Sequence, residues 1–129
     1  MAQKYIVGDL IKYEVGGLEF IAEITNTSKY GYCFKGVSDD ISGTLCKEFA
    51  NDIPLTPEIL EKNGWKNDGY DWYRLPTKRA YLYITKDTEV KDEFLVCVGL
   101  DRHNLASVSF VHQLQHLLYG LKINSEMEV

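Results

Sequence analysis

The sequence predicts an α+β protein: a small SH3-like β-barrel module followed by an antiparallel sheet packed against one C-terminal helix. Short alternating segments separated by tight turns fill the first part of the chain. A short helix signal and further alternating segments come next, and one long amphipathic segment, residues 107–122, lies near the end. We therefore expect a β module at residues 1–52 and an α+β module at residues 53–129, which fold together as one compact unit.

The first module begins with a hairpin signal. Apolar residues alternate over residues 10–15, and Gly16-Gly17 follows. Glycine accepts the positive φ angles of a two-residue hairpin turn, so this pair predicts a tight reversal. Alternation resumes over residues 18–25. The residues that this second strand directs inward are Leu18, Phe20, Ala22 and Ile24.

Two more strands complete the predicted barrel. Tyr30, Tyr32 and Phe34 alternate on a third strand, and residues 44–49 form a fourth strand after a polar turn. Four short strands joined by tight turns are typical of a small barrel of the SH3 type.

The second module opens with the clearest local helix signal in the chain. Thr56 is a favourable N-cap, Pro57 suits the first helical position, and Glu58 complements the helix dipole. Asn63-Gly64 is expected to end this short helix.

A three-stranded meander and the long helix form the rest of this module. Strands are predicted at residues 70–75, 80–85 and 94–100, and the last is apolar enough to be covered on both faces. The helix at residues 107–122 would cover one face of the sheet. Its apolar side carries Phe110, Val111, Leu114, Leu117, Leu118 and Leu121, and its other side or the flank of that side carries His112, Gln115, His116 and Tyr119. Residues 124–129 are expected to fray or to form a short edge strand.

Composition and charge limit the function classes. The chain has 129 residues and a formal net charge of -5. This argues against a general nucleic-acid binder, because phosphate binding needs a basic field. Lys78-Arg79, the one adjacent basic pair in the sequence, is expected to be a solvated turn, with a local phosphate contact as the alternative.

The sequence also bears on compartment. No stretch approaches the ~18 apolar residues of a membrane span, and the N-terminus has no apolar signal core. Cys33, Cys46 and Cys97 show neither zinc-ribbon nor redox spacing. We expect a reduced, cytoplasmic protein without membrane association or cofactor. Its cysteines would be small buried residues, with Cys97 made inert by a raised pKa.

Three segments together resemble a known group of proteins. They are Gly8-Asp9-Leu10-Ile11, residues 53–60 (IPLTPEIL) and residues 111–115 (VHQLQ). In this order they resemble a family of small proteins from gut anaerobes, their mobile elements and their phages, to which no activity is attached. The chain departs from the family pattern at Trp65, where Phe is usual, and at His116, where Asn is expected. The resemblance implies a phage or mobile-element accessory protein.

Two histidines raise the question of a metal site. His112 and His116 are four positions apart, so on a helix they share a face and could bind one metal ion. Only Asp101 or His103, just before the helix, offers a third ligand. The competing interpretation is a pair of polar helix-face histidines. A metal-assisted hydrolase that uses His112 and His116 is therefore the alternative function.

Aromatic rows carry the favoured functional hypothesis. Tyr70 and Trp72 are expected on one strand face, with Tyr81 and Tyr83 opposite them and Arg74 beside them. If the long helix does not cover this face, Trp72 and Tyr83 should be partly exposed. Aromatic rings beside arginine are typical of protein-interface hot spots and of base-stacking sites. Cross-strand aromatic pairs that merely stabilise the sheet are the alternative.

The predicted function is thus a non-enzymatic accessory protein of a phage or mobile element. It would bind a host protein or a small nucleotide-like ligand, and counter-defence is a role that suits this context. The paired carboxylates Asp39-Asp40 and Asp92-Glu93 fall in predicted turns, where solvation explains them. Assembly into a homo-oligomer stays open.

Overall fold

A computed structural model of the protein describes residues 5–29, 31–38, 40–78, 81–86, 91–99 and 101–129. The chain divides into two compact units, residues 1–53 and 54–129. Each unit contains a five-stranded antiparallel sheet, and the second unit adds the main helix. The mixed α+β class predicted from the sequence is thus confirmed.

The first unit is a meander whose fifth strand returns to the first. Its sheet has the strand order β4-β3-β2-β1-β5, and all neighbouring strands are antiparallel. The elements are β1 (Leu10–Val15), β2 (Leu18–Thr27), β3 (Gly31–Gly36), β4 (Ser42–Cys46), a 3₁₀-helix (Lys47–Phe49) and β5 (Ala50–Asn51).

The closed barrel expected for this unit is not found. Over the described residues, β5 pairs only with β1, at Lys12↔Asn51 and Tyr13↔Ala50. A strand of two residues offers too few hydrogen-bonding groups to join β4 as well, so the sheet stays open.

The glycine hairpin forms as predicted. Gly16 and Gly17 have φ angles of 56° and 81°, and Val15 pairs with Leu18 across the turn. Leu18 was expected to point inward, but it is 69% exposed. The turn places it at the end of the sheet, beyond the reach of the core.

Tyrosine rings fill much of the first unit's core. Tyr5 and Tyr13 are almost completely buried, and the Tyr13 ring lies 4.9 Å from that of Phe34 between centroids. The Tyr5 hydroxyl donates a 2.5 Å hydrogen bond to Asp52 Oδ1. The buried residues of this cluster are Tyr5, Ile11, Tyr13, Ala22, Ile24, Tyr32 and Phe34. Tyr30, predicted beside them, lies outside the described residues.

The second unit is a sheet with two helices. Its strand order is β10-β9-β8-β7-β6, again antiparallel throughout. The elements are α1 (Pro57–Lys62), β6 (Lys66–Asn67), β7 (Trp72–Pro76), β8 (Tyr81–Thr85), β9 (Phe94–Val98), β10 (His103–Val108) and α2 (Val111–Gly120).

Helix α1 begins and ends as its sequence predicts. Thr56 Oγ1 accepts a 3.2 Å hydrogen bond from Ile59 N, and Pro57 occupies the first turn. Gly64 follows the helix with a φ angle of 88°, which glycine adopts without a side-chain clash. Leu60 is fully buried and anchors this short helix.

Helix α2 is shorter than predicted, because residues 103–108 form a strand on β9 instead of its first turn. The chain then turns at Ser109, whose N–H donates to Gln113 Oε1 at 2.7 Å. Leu114 is fully buried, which confirms the apolar side of the helix.

The polar side and flank predicted for α2 are less exposed than expected at two positions. His112 and Gln115 are both buried. The His112 ring stacks on Phe110, with 6.0 Å between centroids, and Gln115 Nε2 donates to Ser125 O at 3.2 Å. Phe110, which precedes the helix, and Ser125, which follows it, therefore contact side chains that an isolated amphipathic helix would expose to water.

Candidate binding site

The sheet of the second unit has two chemically different faces. Residues that pair directly across antiparallel strands point to the same face. One face carries Leu75, Leu82, Ile84 and Val96; we call it the helix face, because Leu75 and Leu118 of α2 line the same cleft. The opposite face carries Trp72, Arg74, Tyr81 and Tyr83; we call it the aromatic face.

An arginine outside the predicted set organises the aromatic face. The guanidinium carbon of Arg102 lies 4.3 Å from the Trp72 ring centroid and 4.7 Å from the Tyr83 ring centroid. The two rings meet edge to face, with 6.3 Å between centroids. Such distances are typical of cation–π contacts. Arg102 therefore holds both rings at once.

Two further features fix this arginine. Its Nη2 lies 3.2 Å from Asp68 Oδ2 in an ion pair. Arg102 also adopts a φ angle of 54°, which is unusual for a residue with a side chain, in the turn that joins β9 to β10. We call these contacts of Arg102, with Trp72, Tyr83 and Asp68, the arginine clamp.

Arg74 and Tyr81 form a second cation–π pair on the same face. The Arg74 guanidinium carbon lies 5.3 Å from the Tyr81 ring centroid. Tyr81 is 43% exposed and Arg74 is half-buried. Arg74 Nε is buried and meets no hydrogen-bond acceptor among the described residues.

The predicted site residues therefore separate into three groups. Trp72, Arg74 and Tyr81 are half-buried or exposed on one face. Tyr83 is only 5% exposed, which differs from the partly exposed ring that was expected, because Arg102 covers it. Tyr70 is 99% exposed and precedes the strand, in a turn where its φ angle is 53°, so it does not share the strand face.

Burial was predicted for all three cysteines: Cys97, on the same face, is buried, whereas Cys33 is half-buried and Cys46 is exposed. Burial raises the pKa of the Cys97 thiol, and the charge of Arg102 offsets part of that effect. The thiol donates a 3.4 Å hydrogen bond to Asn104 Oδ1. A neutral, buried thiol is a poor nucleophile, so Cys97 is structural.

The histidine pair forms a contact but not a ligand set. The rings of His112 and His116 meet edge to face, 5.6 Å apart between centroids. Within the described ranges, no group of three or more His, Cys, Asp or Glu side chains could hold a metal ion. A catalytic zinc site takes three protein ligands, so this pair supplies too few.

The remaining predicted features are turns and termini. Lys78 is exposed, whereas Arg79 and Asp39 lie outside the described residues. Asp92 has a φ angle of 61° in the turn before β9.

Across the part of the chain that the structure describes, no helix has the length and apolar character to cross a membrane.

Comparison with protein-family models, curated proteins and solved structures finds no match to this chain.

Proposed function

We propose that the protein is a non-enzymatic binding protein that uses the aromatic face of its second unit as the contact surface. The observation that carries this proposal is the Arg102 guanidinium held against Trp72 and Tyr83. Trp, Tyr and Arg are the residue types most enriched at interface hot spots. Their combination beside the exposed Tyr81 ring gives this face the composition of such a site.

Preorganisation supports the same function. The Asp68 ion pair and the two cation–π contacts hold Arg102 in one place before any partner arrives. A partner then loses less free energy in ordering these side chains. The contact also lies opposite the helix face, so α2 does not have to move.

The partner is a host protein rather than a nucleotide-like ligand. A stacking base needs a free ring face. Here the arginine lies against both the Trp72 and Tyr83 rings, so a base would have to displace it. A protein surface can instead contact ring edges and Tyr81 without displacing the clamp. A small nucleotide-like ligand is the second outcome of the test below.

The resemblance to small proteins of phages and mobile elements supports an accessory role in the host cytoplasm, with counter-defence as one form of it. We further infer that the first unit is an SH3-like module whose sheet remains open. The meander β1 to β4, the 3₁₀-helix Lys47–Phe49 and the return of β5 to β1 support that kinship.

The test compares two ring deletions. Immobilised protein captures candidates from a host lysate, and calorimetry then measures the affinity of each purified candidate. Trp72→Ala should weaken the true partner by about 2 kcal/mol, which is roughly 30-fold. Tyr119→Ala is the matched control, because it removes an exposed ring from α2.

The two variants must keep the wild-type melting temperature within a few degrees for the comparison to count. A folded Trp72→Ala variant that binds as tightly as the wild type would contradict the proposal. Affinity for a nucleoside monophosphate that disappears in Trp72→Ala would instead identify the nucleotide-like ligand.

A further inference from the structure

A cleft of about 810 Å³ opens within the second unit, away from the aromatic face. It lies between the end of α1, the end of β7 and the C-terminal tail, residues 121–129. Its apolar lining consists of Trp65, Leu75, Pro76, Leu118, Ile123 and Met127. Clefts of ~300–1,000 Å³ with mostly apolar walls are typical small-molecule sites.

The tail is a fixed wall of this cleft. Asn63 Nδ2 donates to Glu128 O at 2.8 Å, and Glu128 N donates back to Asn63 Oδ1 at 2.7 Å. Ile123 N donates to Leu118 O at 2.9 Å, so the other end of the tail is held to α2. Between these anchors, Asn124, Glu126 and Met127 line the cleft.

The charged residues of the lining favour an anion. Lys78 and Lys122 both line the cleft, against the single carboxylate of Glu126. Neither lysine forms an ion pair with a carboxylate within the described residues. No carboxylate of the described residues therefore neutralises either lysine, and the apolar walls can contact the body of a ligand.

We propose that this cleft binds an amphipathic organic anion, with an apolar ring system or chain against Leu75, Ile123 and Met127 and an acidic group beside Lys78 and Lys122. This site is separate from the aromatic face, so it goes beyond the function proposed above. A purely apolar ligand would leave the lysines unused. A small polar anion would leave the apolar walls unused, and burial of apolar area supplies most of the binding free energy at such sites.

Two dyes with the same rings test the charge requirement. Anilinonaphthalene sulfonate is an anion, and N-phenylnaphthylamine is its uncharged counterpart; both fluoresce when they enter an apolar site. We expect the folded protein to bind the sulfonate at one site and roughly fivefold more tightly than the amine. This ratio corresponds to the free energy that an exposed ion pair typically contributes. Equal affinities, or no binding of the sulfonate, would overturn the proposal.

Variants of matched charge locate the site. Lys78→Gln with Lys122→Gln should reduce sulfonate affinity to that of the amine, while amine affinity stays unchanged. Lys35→Gln with Lys86→Gln removes the same charge from exposed positions elsewhere and should change neither. If both double variants weaken sulfonate binding equally, the effect comes from the net charge of the protein. That result would overturn the proposal that Lys78 and Lys122 bind the acidic group.

A position-specific signal separates this site from the aromatic face. The indole N–H resonance of Trp65, which lines the cleft, should shift on sulfonate binding, and that of Trp72 should not. A shift of Trp72 alone would place the dye on the aromatic face and overturn the cleft proposal. Loss of partner binding by Trp72→Ala has no bearing on this result.

Discussion

In the first unit the described tyrosines are buried in the core, whereas in the second unit every described tyrosine except Tyr83 is half-buried or exposed, and the buried rings there are those of Trp65, Tyr83 and Phe94. Tyr5 and Tyr13 are almost completely buried, but Tyr81 is 43% exposed and Trp72 is half-buried. Tyr13, Trp72 and Tyr81 all lie in strands of five-stranded antiparallel sheets, and Tyr5 precedes β1. A place in an antiparallel strand therefore does not by itself decide whether a ring is buried, and what packs against that strand does.

Hydrogen-bond acceptors explain why the first unit can bury its tyrosines. A buried tyrosine hydroxyl needs a hydrogen bond, because its desolvation is costly. Tyr5 donates to Asp52 Oδ1, and Tyr13 donates to Tyr32 O at 3.4 Å. In the second unit, aliphatic residues of α2 such as Leu114 fill the core. Trp65 and Phe94 are buried as well, whereas Trp72, Tyr81 and Tyr83 lie on the other face and contact arginine.

The largest expected effect comes from placing a charge in the helix-covered core. Leu114→Asp should destabilise the protein by about 4 kcal/mol or more, because an unpaired carboxylate would be buried where no side-chain atom is now exposed. Urea unfolding followed by circular dichroism measures this. Tyr119→Asp, on the exposed side of the same helix, should cost only about 0.5 kcal/mol. Similar costs for both variants would show that α2 does not cover the core.

Alkaline pH should act on the buried tyrosines of the first unit. Burial raises the pKa of Tyr13 to about 12, and burial together with the neighbouring Asp52 raises the pKa of Tyr5. The folded pKa exceeds the unfolded value of ~10, so this stabilisation is complete below pH ~10 and is lost as pH rises toward 12. For Tyr13 alone the loss is roughly 2–3 kcal/mol.

The free energy of unfolding measured at several pH values tests this, with Tyr13→Phe as the control. The variant lacks the titrating hydroxyl, so its stability should fall less steeply above pH ~10. Equal slopes for the variant and the wild type would mean that Tyr13 is not the responsible group.

Local chemistry explains which parts of the fold the sequence could predict. Gly16-Gly17 and the Thr56-Pro57 helix start depend on neighbouring residues alone, and both form as expected. Strand β10 was missed, because its pairing register shifts between Asn104 and Ala106 and this irregularity breaks the alternation. The error then lengthened the predicted helix at its N-terminus.

The candidate site shows a similar limit. Alternation placed Trp72 and Tyr83 on one face, and the strand register agrees. Arg102 was missed, because a single basic residue in a turn has no periodic signal, and its partner Asp68 lies 34 positions away. The cleft wall was missed for the same reason. Asn63 and Glu128 are 65 positions apart, and the tail has no regular secondary structure.

The clamp on the aromatic face should make a moderate contribution to stability. Arg102→Ala removes two cation–π contacts and one ion pair, so we expect a loss of about 1 kcal/mol. Arg102→Gly removes the same contacts but relieves the positive φ angle, so it should lose less. Thermal unfolding compares the two. If the alanine variant is as stable as the wild type, the clamp does not hold these rings.

The smallest effect on global stability is expected at the tail. Asn63→Ala removes the two hydrogen bonds to Glu128 and the Asn63 Nδ2 hydrogen bond to Ile59 O. Water can replace these partners at this half-exposed position, so we expect the free energy of unfolding to fall by only about 1 kcal/mol. Hydrogen exchange is the sensitive measurement, because local opening lowers protection without unfolding the domain. The Glu128 amide should exchange faster, while Leu60 and Leu114 amides stay protected.

Asn63→Asp keeps the acceptor for Glu128 N but loses the donor, so its Glu128 amide should exchange at an intermediate rate. A wild-type rate in Asn63→Ala would show that the hydrogen bonds between Asn63 and Glu128 do not hold the tail, and that its other contacts, such as Gln115 Nε2 to Ser125 O, are sufficient.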